Sequence, residues 1–292
     1  MKHIAFLWLA VLCLAAAPAC SRKEADASAV ATPSVTLNHE RAPLGSPIDI
    51  TYKFVVANDA KFDDDYRVMA HVVDTDEEMI WTDDHNPPVP TSQWKPGQTV
   101  QYTRTIFVPV YPYVGEAKIQ IGLYSSKNQK RLPLVGQHNG QRAYEVARFQ
   151  LLPQTENLPS VFKEGWHNAE VVENNTAVQW QWTKKDAVFA FKNPKKDCLF
   201  YFDVDNPGTV LTEPQQVQLT LNGKPLDEFT LQPKKEELRR IPIKADQLGD
   251  IENAEVHISV DKSYIPALVP AANNKDSREL GIRVFHAFVD PR

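Results

Sequence analysis

Apolar residues recur at every second position along most of this chain, and prolines cut the pattern into short runs. Ile48-Asp49-Ile50-Thr51-Tyr52-Lys53-Phe54 alternates throughout, and Lys118-Ile119-Gln120-Ile121-Gly122-Leu123-Tyr124 does so again. Successive side chains on a strand point to opposite faces, so such a run buries one face and leaves the other wet. Arg67 to Val73, Val100 to Val108, Val178 to Trp182, Val217 to Leu221, Val256 to Val260 and Ile282 to Phe285 read the same way. The chain holds 22 prolines against 11 glycines. Proline lacks a backbone N–H and resists helix interiors, which excludes a helical bundle and favours short strands with rigid turns. Asn222-Gly223 is the strongest hairpin signal. Only Lys234 to Arg240, behind Pro233, reads as a helical turn. Turn signals at roughly ten-residue spacing predict an all-β fold of antiparallel sandwiches. A length of 292 residues suits two of them. Hydrophobic patterning lapses between Pro153 and Pro159, which predicts a linker over 153–159 between sandwiches at 34–152 and 160–292.

The N-terminus carries an address. Met1-Lys2-His3 is a short positive start, Ile4 to Ala19 is uncharged, and Ala17-Pro18-Ala19-Cys20 closes the run with small residues. That is the layout of a secretory signal peptide over 1–19. The run falls short of the roughly 20 residues that a spanning helix needs. Cys20 followed by polar Ser21-Arg22-Lys23 resembles the lipobox of bacterial lipoproteins, in which the cysteine becomes the lipid-bearing first residue. The resemblance implies palmitate-type acylation at Cys20 and membrane attachment through that lipid. Ser21 in second place resembles sorting to the Gram-negative outer membrane. Residues 20–33, rich in Ser, Ala and charge, read as the lipidated cysteine and a flexible tether. Removal of Cys13 with the signal and lipidation of Cys20 leave Cys198 alone in an apolar run, where a buried, inert thiol is expected.

Two further resemblances cover most of the remaining chain. Met69-Ala70-His71-Val72-Val73-Asp74, Asp83-Asp84-His85-Asn86-Pro87, Trp94-Lys95-Pro96-Gly97, Gly122-Leu123-Tyr124 and Arg131-Leu132 resemble the framework of β-sandwich modules of bacterial envelope proteins, some of them appended to membrane glycosyltransferases. Gly165-Trp166-His167-Asn168, Trp180-Gln181-Trp182-Thr183, Leu221-Asn222-Gly223 and Asp276 to Ile282 resemble a jelly-roll-type module found near cell-surface polysaccharide machinery. The resemblances imply an immunoglobulin-like or jelly-roll-like pair in a glycan context. They carry no catalytic residues.

The chemistry legible in the residues is sparse. A net charge of −5 gives no general attraction for nucleic acid. No nucleophile elbow, zinc-protease motif or P-loop occurs, and no cofactor is expected. Asp74, Asp76, Asp83 and Asp84 lie in turn-like segments, where Asp either initiates the turn or gathers around Ca²⁺. Turn formation is the expectation, and no metal site is assigned. The histidines are dispersed, with His71 expected in the core. Trp180 and Trp182 share one strand face and form either sandwich core or a platform for a sugar ring, with Trp166 nearby. The core is the expectation, with at least one of the pair fully buried.

The expected function is therefore non-enzymatic: a lipid-anchored envelope protein that binds or scaffolds, with a glycan or an envelope protein as partner. A glycan-acting hydrolase or transferase using loop carboxylates is one alternative, and an assembly factor using an exposed edge strand is another. Cys20→Ala is expected to abolish acylation and release the protein from membranes, because the remaining tether is too polar to bind lipid. Metabolic labelling with a fatty-acid probe and membrane fractionation check this; undiminished labelling of the variant refutes it.

Overall fold

The computed structural model describes residues 28–172, 175–270 and 274–292, without side chains over 173–177. The signal segment 1–19 and Cys20 lie outside the described residues. Strands dominate the fold. Among the described residues, helix is confined to Ala245–Leu248 and to 3-10 turns at Thr91–Gln93, Gln154–Glu156 and Pro266–Leu268. No described helix is long and apolar enough to cross a membrane.

The first half comprises β1 (Ala31–Leu37), β2 (Arg41–Pro43), β3 (Pro47–Val56), β4 (Tyr66–Val73), β5 (Met79–Thr82), β6 (Thr99–Phe107), β7 (Gly115–Ser125) and β8 (Tyr144–Leu152). They form two sheets, β1-β3-β6 and β2-β8-β7-β4-β5. Every pairing is antiparallel except β2 with β8. With β3 and β6 in one sheet and β4, β7 and β8 in the other, the chain divides as in an immunoglobulin-like sandwich. The alternation in β3 is realised in the packing: Ile48, Ile50, Tyr52 and Phe54 are buried while the intervening Asp49, Thr51 and Lys53 are not. Ordered structure starts earlier than the sequence implies. Val30 and Ala31 are buried, and Pro33 pairs across from Phe54, so the last residues read as tether belong to the sandwich. Pro33 fits there because β1 is a sheet edge, where a missing N–H leaves no neighbour unpaired.

The second half comprises β9 (Ser160–Phe162), β10 (Glu170–Val172), β11 (Asn175–Trp182), β12 (Asp186–Lys192), β13 (Cys198–Asp205), β14 (Gln215–Leu221), β15 (Lys224–Leu231), β16 (Glu236–Ile243), β17 (Asn253–Val260) and β18 (Arg283–Pro291). The sheets run β10-β11-β18-β13-β16 and β15-β14-β17-β12-β9, with antiparallel pairing throughout. From β11 to β14 the chain changes sheet at every step, and after the β14–β15 hairpin it does so again to β18. That connectivity is a jelly roll. Asn222-Gly223 makes the β14–β15 turn, with both residues at positive φ. In place of the helical turn expected over Lys234–Arg240, the chain is strand from Glu236 onward. Pairing with β13 buries Ile241 and Ile243, and that ladder outweighs the local signal of Pro233.

Each half has its own apolar core, one drawn from residues between Val30 and Leu151 and the other from residues between Ala187 and Val289. The halves also touch. Phe107 at the end of β6 stacks on His286 of β18, with ring centroids 3.6 Å apart and planes within 2°, and meets Tyr201 of β13 edge-on. Arg240 reaches Asp49 at 3.2 Å, and Asn157 donates to the Leu44 carbonyl. The segment 153–159 therefore lies against both halves, with Leu158 packed on the second core.

Gly165 sits where the lead into β10 crosses the start of β12. Its φ is +81°, and a Cβ there would lie 1.9 Å from the Asp186 carbonyl oxygen. Gly165→Ala is expected to cost about 3 kcal/mol, through left-handed strain plus a backbone clash. Gly140→Ala, also at positive φ but meeting nothing within 4 Å, is expected to show the strain alone. Urea denaturation of both variants separates the two contributions.

Candidate functional site

Most strands here bury one face, but β13 is covered on both. Phe200, Phe202 and Val204 point into the core, and Tyr201, Asp203 and Asp205 on the opposite face are also buried. Buried carboxylates need partners. Asp205 has a full set, since Arg283 donates from Nε at 2.7 Å and from Nη2 at 2.5 Å to its two oxygens. The Arg283 guanidinium in turn lies over the Trp180 ring at 5.0 Å, Phe285 at 5.4 Å and Trp182 at 6.0 Å. Asp203 is less well served. His286 Nδ1 lies 3.0 Å from its Oδ2, while Oδ1 has no hydrogen-bond partner although the residue is only 7% exposed.

A cleft opens beside these groups because β11 parts from β18. The two strands pair only at Gln181 with Val284 and Trp182 with Arg283. Next to that short ladder is a space of about 180 Å³ bordered by Trp180, Phe285 and, from the first half, Phe107 and Gly45. An adjoining space of about 480 Å³ shares Phe107, Gln179, Phe285 and His286 and adds Asp203, Glu236 and Val110. Glu236 pairs with Asp205 in the β13–β16 ladder. It is exposed as a residue, yet loss of solvent around its carboxyl and the charges of Asp203 and Asp205 raise its pKa above the usual carboxylate range. It holds its proton to higher pH than an isolated glutamate. The two spaces are thus walled by an indole, a second aromatic ring and carboxylates, and Trp180 Nε1, like Asp203 Oδ1, is buried there without a hydrogen-bond partner.

The three tryptophans singled out by the sequence fall in different places. Trp182 is 7% exposed and meets Tyr264 edge-on. Trp180 is half-buried and lines the cleft. Trp166 lines neither space; its Nε1 donates to the Val188 carbonyl, and its ring packs on Phe162. The acidic residues of the first half are engaged locally. Asp74 accepts the N–H groups of Asp76 and Glu78, closing a turn in which Asp76 supplies only backbone. Asp83 takes a bidentate contact from Arg104 and the Tyr52 hydroxyl at 2.8 Å, while Asp84 accepts from the Ala70 N–H and lies 3.3 Å from His71. Burial holds His71 below the usual histidine range. Among the described residues no three His, Cys, Asp or Glu side chains gather into a metal-holding group. Cys198 is buried, and desolvation pushes its thiol up to about 11, so it is no nucleophile.

Sequence reasoning missed Asp203, Asp205, Glu236, Arg283 and His286. The available signal was two acids, two residues apart, inside the otherwise apolar run Cys198 to Asp205.

No family model matches the chain, and no curated protein matches it. Among solved structures it is similar to a family 35 carbohydrate binding module from Clostridium thermocellum, at 12% identity and a TM-score of 0.28, over 46% of this chain and 99% of that one. A Bacteroides uniformis β-glucuronidase matches at 11% identity and a TM-score of 0.31, over 89% of this chain and 30% of that one. A 4-O-methyl-α-glucuronidase with specificity for decorated arabinogalactans matches at 13% and 0.32, over 47% and 18%. The chain thus spans less than a third of either enzyme's length.

Trp182→Ala is expected to cost about 3–5 kcal/mol through lost burial and the cavity left behind. Trp180→Ala is expected to cost clearly less, because its side chain is only partly buried. Thermal or urea melts of the two variants check the order, and equal losses would show that both rings serve the core alike.

Proposed function

We propose that this chain is a non-enzymatic, lipid-anchored envelope protein whose jelly-roll half binds glycan in the cleft beside β11 and β18. One observation carries the reading: a half-buried indole, Trp180, lines one of two adjoining spaces, and the buried Asp203, whose Oδ1 has no hydrogen-bond partner, lines the other. A pyranose presents an apolar C–H face and a rim of hydroxyls that both donate and accept. It would stack on Trp180 in one space and turn a hydroxyl toward Asp203 in the other, where an unmade hydrogen bond is costly. The lipobox-like Cys20 supports placement at an envelope membrane, where such a module would meet surface polysaccharide.

A glycan-acting hydrolase is the second reading. It is favoured by Glu236, whose raised pKa suits a general acid, standing in one cleft with Asp203. Native-gel retardation of the protein in gels cast with neutral, amino-sugar and acidic polysaccharides, followed by reducing-end assay of the same mixtures, distinguishes the two. Retardation by at least one polymer, its loss in Trp180→Ala and no release of reducing ends are expected. Release of reducing ends that disappears in Glu236→Gln would establish the hydrolase instead. Retardation unaffected by Trp180→Ala would remove the cleft from the argument.

A further inference from the structure

Resting on the glycan reading above, we propose that the cleft selects sugars bearing a free, protonated amine over their N-acetylated, neutral and acidic counterparts. The charges around it are unbalanced. On β13 stand Asp203 and Asp205, on β16 Glu236, and on β18 Arg283 and His286. Arg283 is consumed, since two of its nitrogens are spent on the two oxygens of Asp205 and its plane faces aromatic rings. His286 meets only Oδ2 of Asp203, at 3.0 Å, so Asp203 Oδ1 and the Glu236 carboxyl are left without a partner cation. The first half contributes no compensating charge, because Gly45, Phe107, Val108, Pro109, Val110 and Gln154 are its whole share of the wall. Among the described side chains of β11, Val178, Gln179, Trp180 and Gln181 line the two spaces, and none is charged.

The vacancy at Asp203 decides the ligand chemistry. Its Oδ1 is an acceptor without a partner on a side chain nine-tenths buried. An ammonium offers three N–H donors and a charge, so it can satisfy Oδ1 and still face Glu236. A hydroxyl brings one donor and no charge. An N-acetyl group loses the charge and adds bulk, and a uronate, sulfate or phosphate would meet the carboxyls of Asp203 and Glu236 in a site of lowered dielectric. Loss of solvent, and after it the charges of Asp203 and Asp205, raise the pKa of Glu236, and a bound cation would offset the second of these.

The test uses the full chain in detergent micelles, titrated calorimetrically with glucosamine, N-acetylglucosamine, glucose and glucuronate oligomers of equal length, at a pH where the amine is protonated. The glucosamine oligomer is expected to bind at least about tenfold tighter than the other three, with the margin shrinking as salt rises. Asp203→Asn and Glu236→Gln are each expected to weaken it by about tenfold or more and to flatten the preference, the scale of a charge-assisted hydrogen bond. Glu236→Gln changes an exposed residue, and near-UV circular dichroism verifies the fold of Asp203→Asn. Equal binding of the N-acetylated or neutral oligomer would overturn the amine selectivity and leave the glycan reading standing. Failure of all four sugars to bind would overturn both. Glucosamine binding that survives both substitutions would overturn the role of these carboxylates.

Discussion

The bidentate pair between Asp205 and Arg283 holds together the part of the molecule on which everything else in the second half depends. It ties β13 to β18 where β11 begins to part from the sheet, and it places a planar cation among Trp180, Trp182 and Phe285. Removing one partner of a buried pair strands the other charge, which typically costs about 3–5 kcal/mol. Here it would also withdraw the guanidinium on which the Trp180 ring rests. The pair is thus structural for the sheet and positional for the cleft at once.

The contrast between Asp83 and Asp203 shows how two buried carboxylates can differ in meaning. Asp83 receives two nitrogens of Arg104 and the Tyr52 hydroxyl, so it clamps the segment after β5 to β3 and β6. Burial and that carboxylate push the Tyr52 hydroxyl far above the usual tyrosine range, leaving it a donor at any ordinary pH. Both Asp83 oxygens are filled, and the arrangement asks for nothing further. Asp203 has one oxygen filled and one empty. Polar groups left unsatisfied in an interior are rare and need a reason, and a ligand is one.

Much of the fold was legible because half-buried strands write a period of two into the sequence, as β3 and β7 do. The parts that were not legible share one cause. β13 is buried on both faces, so its outward residues Tyr201, Asp203 and Asp205 carry no sign of being covered by other parts of the chain. Lys234 to Arg240 looked helical because Pro233 and its charges are local features, whereas the ladder with β13 is not. The tryptophan pair was visible, yet its two members divide between core and cleft, and sequence spacing cannot distinguish neighbours on one face. The loop acids stand out in the sequence because Asp serves both turns and cations; Asp74, Asp83 and Asp84 engage the local backbone or nearby side chains. The acids that line the cleft sat unremarked on strands.

The stack of Phe107 on His286 makes the first sandwich one wall of a space whose other walls belong to the second. Any molecule lodged there would touch both bodies and none of its affinity could be assigned to either alone. Occupancy and the mutual seating of the two sandwiches are then linked by mass action, each favouring the other. A load drawn through the first sandwich would reach the cleft across that stack together with the Arg240–Asp49 pair and the segment 153–159, so tension between the halves and retention of a polymer would oppose or reinforce one another.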